Sequence, residues 1–110
     1  MDDMSLRLDH LNIPAQDPEG LARWYAEHFD LNAEGRRVSG PGLLIAFQSG
    51  EPVERSPDLH FGFRVPSMAA LRRRASRFGV EVAPGTEFTA FRVFDPERNC
   101  IEVYCRTEGK

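Results

Sequence analysis

The second half of this chain repeats the first, and a chain built that way must fold as two copies of one small unit. Setting His60 on His10, fifty residues earlier, brings Phe61 onto Leu11, Phe63 onto Ile13 and Leu71 onto Leu21. After one residue of slippage, Phe78-Gly79-Val80 falls on Phe29-Asp30-Leu31. Each half reads as a strand, a helix and then shorter strands. At 110 residues the chain has the size of one small domain. The modules are expected at residues 5–48 and 59–106, with the Pro-, Glu- and Ser-rich stretch 49–58 as the linker between them.

The first helix carries its own punctuation. Asp17 suits the N-cap, Pro18 the first turn and Glu19 the positive end of the helix. Leu21, Trp24, Tyr25 and His28 or Phe29 recur at helical spacing and predict a buried stripe. The second helix is expected to start at Ser67 as N-cap, to bury Met68, Leu71, Ala75 and Phe78, and to stop at Gly79. Strands are predicted at Glu34–Ser39 and Leu43–Gln48, split by Gly40-Pro41-Gly42, and at Val80–Ala83, Glu87–Phe94 and Cys100–Arg106.

Side chains alternate across a strand, so parity sorts the two faces. Leu11, Ile13, Phe61, Phe63, Ile101 and Val103 share one parity and should pack on the helices. His10, Asn12, His60, Gly62, Glu102 and Tyr104 share the other. Two imidazoles and one carboxylate on one face make a set that holds a divalent metal and leaves coordination positions open for substrate. His10, His60 and Glu102 are the candidate metal ligands. Fe2+ suits two His and one Glu, and Mn2+, Ni2+ and Zn2+ accept the same set.

Composition narrows the partners. A net charge of −3 gives no reason to expect nucleic acid. Arg72, Arg73, Arg74 and Arg77 cluster on one predicted helix and read as its solvated side. No apolar run has the length of a membrane span, and no signal peptide is recognised, so no membrane partner is expected. Cys100 and Cys105 lie on one predicted strand at an odd separation and point to opposite faces, so they do not bridge each other. Free thiols fit a cytoplasmic protein. His28 sits on a helix and reads as structural, and Cys100 reads as a small filler at a strand start.

Four segments in order resemble the vicinal oxygen chelate superfamily, which includes glyoxalase I, extradiol dioxygenases, fosfomycin-resistance thiol transferases and bleomycin-resistance proteins. They are Leu8-Asp9-His10-Leu11-Asn12-Ile13, Trp24-Tyr25-Ala26-Glu27-His28-Phe29, Leu59-His60-Phe61-Gly62-Phe63, and Phe94-Asp95-Pro96-Glu97-Arg98-Asn99-Cys100-Ile101-Glu102. The resemblance implies an α+β fold of two βαβββ modules forming an open curved sheet with helices on its convex side. It implies metal ligands at the places of His10, His60 and Glu102, and it puts Arg92 in the cup. The turn before the last strand departs from the family pattern, with Arg98 where a glycine of positive φ is usual. Glyoxalase I takes a further glutamate ligand near the place of Ala46, and the fosfomycin enzymes have serine and tyrosine where this chain has Ala90 and Arg92.

The expectation is a metal-dependent enzyme, a lyase or dioxygenase in type, acting on a small oxygenated molecule. Asn12, Arg92 and Tyr104 are the candidate substrate contacts, and Arg92 favours an anion. The competing expectation is a metal-free binding protein of the bleomycin-resistance kind. A homodimer is expected, because two open modules leave sheet edges that a chain this short covers poorly.

Overall fold

A computed structural model describes residues 3–51 and 60–107. The elements run β1 (Leu11–Ala15), α1 (Pro18–Phe29), β2 (Asn32–Glu34), β3 (Arg37–Gly40), β4 (Leu43–Ser49), β5 (Phe61–Arg64), α2 (Met68–Ser76), β6 (Phe88–Phe94) and β7 (Cys100–Arg106). They fall into two compact units, Met1–Val53 and Glu54–Lys110. Most of the proposed linker 49–58 lies outside the described residues.

In the first unit the sheet order is β1-β4-β3-β2, and in the second β5-β7-β6. The first strand of each unit pairs parallel with the last: Leu11 stands opposite Ile45, and Phe61 opposite Ile101. A parallel pair needs a long crossover, and the helix supplies it. The remaining strands pair antiparallel. Neither sheet closes into a barrel, and the result is an α+β fold.

Helix α1 begins as its residues predict. The Asp17 carboxylate accepts a hydrogen bond from the Gly20 N–H at 3.1 Å, and Pro18 occupies the first turn. The helix ends at Asp30, which takes the left-handed conformation (φ 58°) that a short polar side chain tolerates. Leu21, Ala22, Tyr25 and Phe29 are buried. The Tyr25 ring lies 5.3 Å from that of Phe47 and 5.9 Å from that of Phe29. In α2, the Ser67 hydroxyl accepts from the Ala70 N–H at 3.1 Å, and Met68, Leu71 and Ala75 face the sheet. Ile101, Val103 and Cys105 of β7 are fully buried on that side. His28 is half-buried, stacks on Trp24 and hydrogen-bonds through Nδ1 to the Trp24 carbonyl. It is a structural residue, as its place on the helix implies.

Three expectations need correction. The segment Glu34–Ser39 is not one strand but the hairpin β2–β3, with Gly35 at φ 61° in its turn. Only glycine enters that region without strain. Val80–Ala83 forms no strand; Val80 and Val82 are only half-buried, and among the described residues no neighbouring strand pairs with them. The second unit is therefore βαββ among the described residues. Finally, His10 and His60 sit just before β1 and β5 rather than inside them, because the parallel ladders begin at Leu11 and Phe61.

Ahead of β1, residues 3–10 belong to no strand or helix. Met4, Leu6 and Leu8 alternate there with polar residues and are 85%, 98% and 83% exposed. No helix among the described residues is long and apolar enough to cross a membrane.

Candidate functional site

The open face of the second sheet is set by the period of its strands. On β6, Thr89, Phe91 and Val93 are buried under α2 while Phe88, Ala90, Arg92 and Phe94 are exposed. On β7, Ile101, Val103 and Cys105 are buried, while Glu102 and Tyr104 are half-exposed. Register then brings particular residues side by side. Glu102 stands between Gly62 of β5 and Arg92 of β6, and Tyr104 between Arg64 and Ala90.

Three candidate residues meet here. His60 Nε2 lies 3.6 Å from Glu102 Oε1, and Arg92 Nε lies 3.7 Å from Glu102 Oε2. The first distance is too long for a useful hydrogen bond. His60 Nδ1 is buried and has no hydrogen-bond partner among the described residues, which is uncommon for a buried polar atom. The imidazole and the carboxylate thus face each other with unsatisfied capacity, in partly screened positions at 24% and 28% side-chain exposure. Such a pair fits two ligands of one cation. Gly62 keeps the flank of the carboxylate open; a Cβ there would lie 3.8 Å from Glu102 Oε1. Arg92 is 48% exposed, so its ion pair with Glu102 contributes little to stability and leaves the guanidinium accessible.

The other candidates are placed differently. His10, in the first unit, is 55% exposed and contacts the Asp9 carboxylate through Nδ1 at 3.0 Å. Asn12 lies on β1 and donates a hydrogen bond to Gln48 Oε1. Within neither unit do three His, Cys, Asp or Glu side chains come together as a metal-binding group among the described residues. Tyr104 shares the face of Glu102. Cys100 has the same parity but is buried at the strand start, in keeping with a filler.

Two neighbours of the site escape a reading made from parity alone. Arg64 has the parity of His60 and Gly62, so its face was readable, but its contact with Tyr104 depends on the register of β5 against β7. Phe88 reaches Tyr104 only through the register of β6 against β7.

No family profile matches the sequence, and neither does any curated protein. Solved structures do match in fold. A candidate glyoxalase family protein from Bacillus anthracis superposes with a TM-score of 0.73 at 20% identity, over 97% of this chain and 100% of that one. The fosfomycin resistance protein FosX from Mesorhizobium loti gives 0.73 at 21% identity, over 94% and 95%. Lactoylglutathione lyase from Agrobacterium tumefaciens gives 0.66 at 15% identity, over 94% and 96%. These proteins are vicinal oxygen chelate superfamily members. With the parallel first-to-last strand pairing in both units, the likeness extends over nearly the whole chain, which has the fold of the vicinal oxygen chelate superfamily.

Proposed function

We propose that the chain is a metal-dependent enzyme of the glyoxalase type that acts on a small, oxygenated, anionic substrate. The observation that carries this reading is the His60–Glu102 pair: a partly buried imidazole and carboxylate, 3.6 Å apart, with a buried ring nitrogen that has no partner among the described residues. His60 and Glu102 would hold a divalent cation. His10 is proposed as the third ligand from its matched position in the repeat. When bound, the cation would supply Lewis-acid stabilisation of negative charge on a substrate oxygen.

The remaining work falls to the side chains of the second sheet. Arg92 can offer its guanidinium fork to a substrate anion while its Nε stays near Glu102. Tyr104, two residues beyond Glu102 on the same face, can hydrogen-bond a substrate oxygen through its phenol. Asn12 is proposed to contact substrate from β1.

Whether the reaction is a lyase or a dioxygenase step depends on the metal, with Fe2+ favoured by the ligand set. We further propose a homodimer, supported by the open outer strands of both sheets. A reducing compartment such as the cytoplasm suits its two buried, unbridged cysteines.

Elemental analysis of protein purified without chelator or nickel resin tests the central claim. The expected result is one divalent ion per chain, lost in a folded His60→Ala variant. Wild-type protein that takes up none of Fe, Mn, Ni or Zn would overturn the metal reading and leave a metal-free small-molecule binder.

A further inference from the structure

The second sheet carries an aromatic and cationic strip that the metal site does not require. The Arg64 guanidinium lies over the Tyr104 ring at 5.9 Å. The Arg106 guanidinium lies over the Phe88 ring at 5.5 Å. The two rings meet edge to face with centroids 6.0 Å apart. Register explains the order, since Arg64 is paired with Tyr104, and Phe88 with Arg106. The strip therefore crosses three strands, Arg64–Tyr104–Phe88–Arg106, on the face that also holds Glu102 and Arg92.

Two facts make this more than a solvated sheet surface. Its charge is lopsided: Arg64, Arg92 and Arg106 share the face with Glu102 as its one acid among the described residues of the three strands, in a chain whose net charge is −3. Arg92 is engaged by Glu102, whereas Arg64 and Arg106 pair with no carboxylate among the described residues. Secondly, the fold does not demand the strip. The first unit has Pro14 and Gln48 at the register positions of Arg64 and Tyr104, and so has neither ring nor cation there.

We infer that this face selects a planar aromatic carboxylate. The inference rests on the proposed site and names the substrate class for it. The substrate ring packs against Tyr104 and Phe88, where aromatic pairs favour offset or edge-on contact over an aliphatic ring of equal size. The carboxylate takes paired hydrogen bonds from the Arg64 guanidinium, whose planar fork matches it. An oxygen substituent further along the ring is then directed towards Glu102 and His60, two register positions away along β7.

Three probes separate ring from charge: benzoate, cyclohexanecarboxylate and benzyl alcohol. Each is titrated into the intact protein by NMR, reading the ligand's own protons, so that wild-type protein and every variant are compared by one signal. Benzoate is expected to bind about 10-fold or more tightly than either control, one decade for the ring contact and one for the charged hydrogen bonds. Tyr104→Leu should bring benzoate down to the level of cyclohexanecarboxylate. Arg64→Gln should bring it down to the level of benzyl alcohol. Equal binding of benzoate and cyclohexanecarboxylate by wild-type protein, or an unchanged preference in a folded Arg64→Gln variant, would overturn the inference. Metal content measured on the same samples keeps the two proposals apart. Metal bound without ligand preference defeats the aromatic carboxylate, and preference without metal defeats the metal site.

Discussion

The two halves of the molecule share a framework and differ in one decisive residue. In both, a histidine immediately precedes the first strand, and an arginine on an antiparallel strand stands opposite the central one. Register aligns Asn12, Ala46 and Arg37 across the first sheet, and Gly62, Glu102 and Arg92 across the second. Where the second half has Glu102, the first has Ala46. The consequences spread sideways. Arg37 turns to Glu34 within its own hairpin at 3.7 Å, whereas Arg92 turns to the central strand. Among the described residues, His10 contacts its exposed neighbour Asp9, whereas His60 faces Glu102 with one ring nitrogen left without a partner. A duplicated scaffold thus offers the same positions twice, and the acid on the central strand decides which copy gathers a histidine and an arginine around it.

The sharpest way to break this comparison is through the cores. The first half packs around the aromatic cluster of Tyr25, Phe29 and Phe47, the second around the smaller Leu71, Ile101 and Val103. Tyr25→Ala should cost about 3–5 kcal/mol, read from urea unfolding, because it deletes a fully buried ring. A loss below about 1 kcal/mol would mean that the core tolerates the cavity and that the first half is held by its β-ladders.

Next comes the acid itself. Glu102→Ala should weaken divalent metal binding on the order of 100-fold by calorimetry. Ala46→Glu, which gives the first sheet the missing carboxylate, should not restore it. Full restoration in the double variant would show that the halves are interchangeable and would remove the asymmetry between them.

The smallest effect lies in the turns that feed the two central strands. The first passes through Gly42 at φ 69° and the second through Arg98 at φ 73°. Arginine resists that region by about 1–2 kcal/mol. The turn is held by the buried Asp95 carboxylate, which accepts from the Glu97 and Asn99 N–H groups and from the Asn99 side chain. Arg98→Gly should raise stability by about 0.5–1 kcal/mol, part of the relief being offset by the freer unfolded chain. A melting temperature that falls instead would show that the arginine side chain makes a stabilising contact stronger than its backbone strain.

What the sequence revealed follows from which interactions are local. Asp17 with Pro18, and Ser67, mark helix starts because a cap is made within three residues of the chain. Glu102 and Tyr104 were assigned to one face because strand alternation has a fixed period, and Arg92 was added to it by the family resemblance. The positive φ at residue 98 was legible only through the family resemblance, which has a glycine at that place. Pairing is not local. Nothing in Val80–Ala83 itself reveals that no strand among the described residues comes alongside it. The turn at Gly35 was hidden by polar neighbours that also suit an edge strand. The Arg64–Tyr104–Phe88–Arg106 strip needs the registers of β5 and β6 against β7, which no single strand encodes. The parity that placed Cys100 with Glu102 was right for its direction and silent on its burial.

The alternating stretch ahead of β1 has a chemical consequence. Met4 is 85% exposed and Met68 only 5%. Peroxide would reach the first thioether and not the second, and the sulfoxide it forms is polar. Oxidation of one atom would therefore interrupt the apolar row of Met4, Leu6 and Leu8 while leaving the packing beneath α2 untouched. The segment leading to His10 thus carries a redox-sensitive surface of its own, reversible by reduction, on a chain whose two cysteines are both buried.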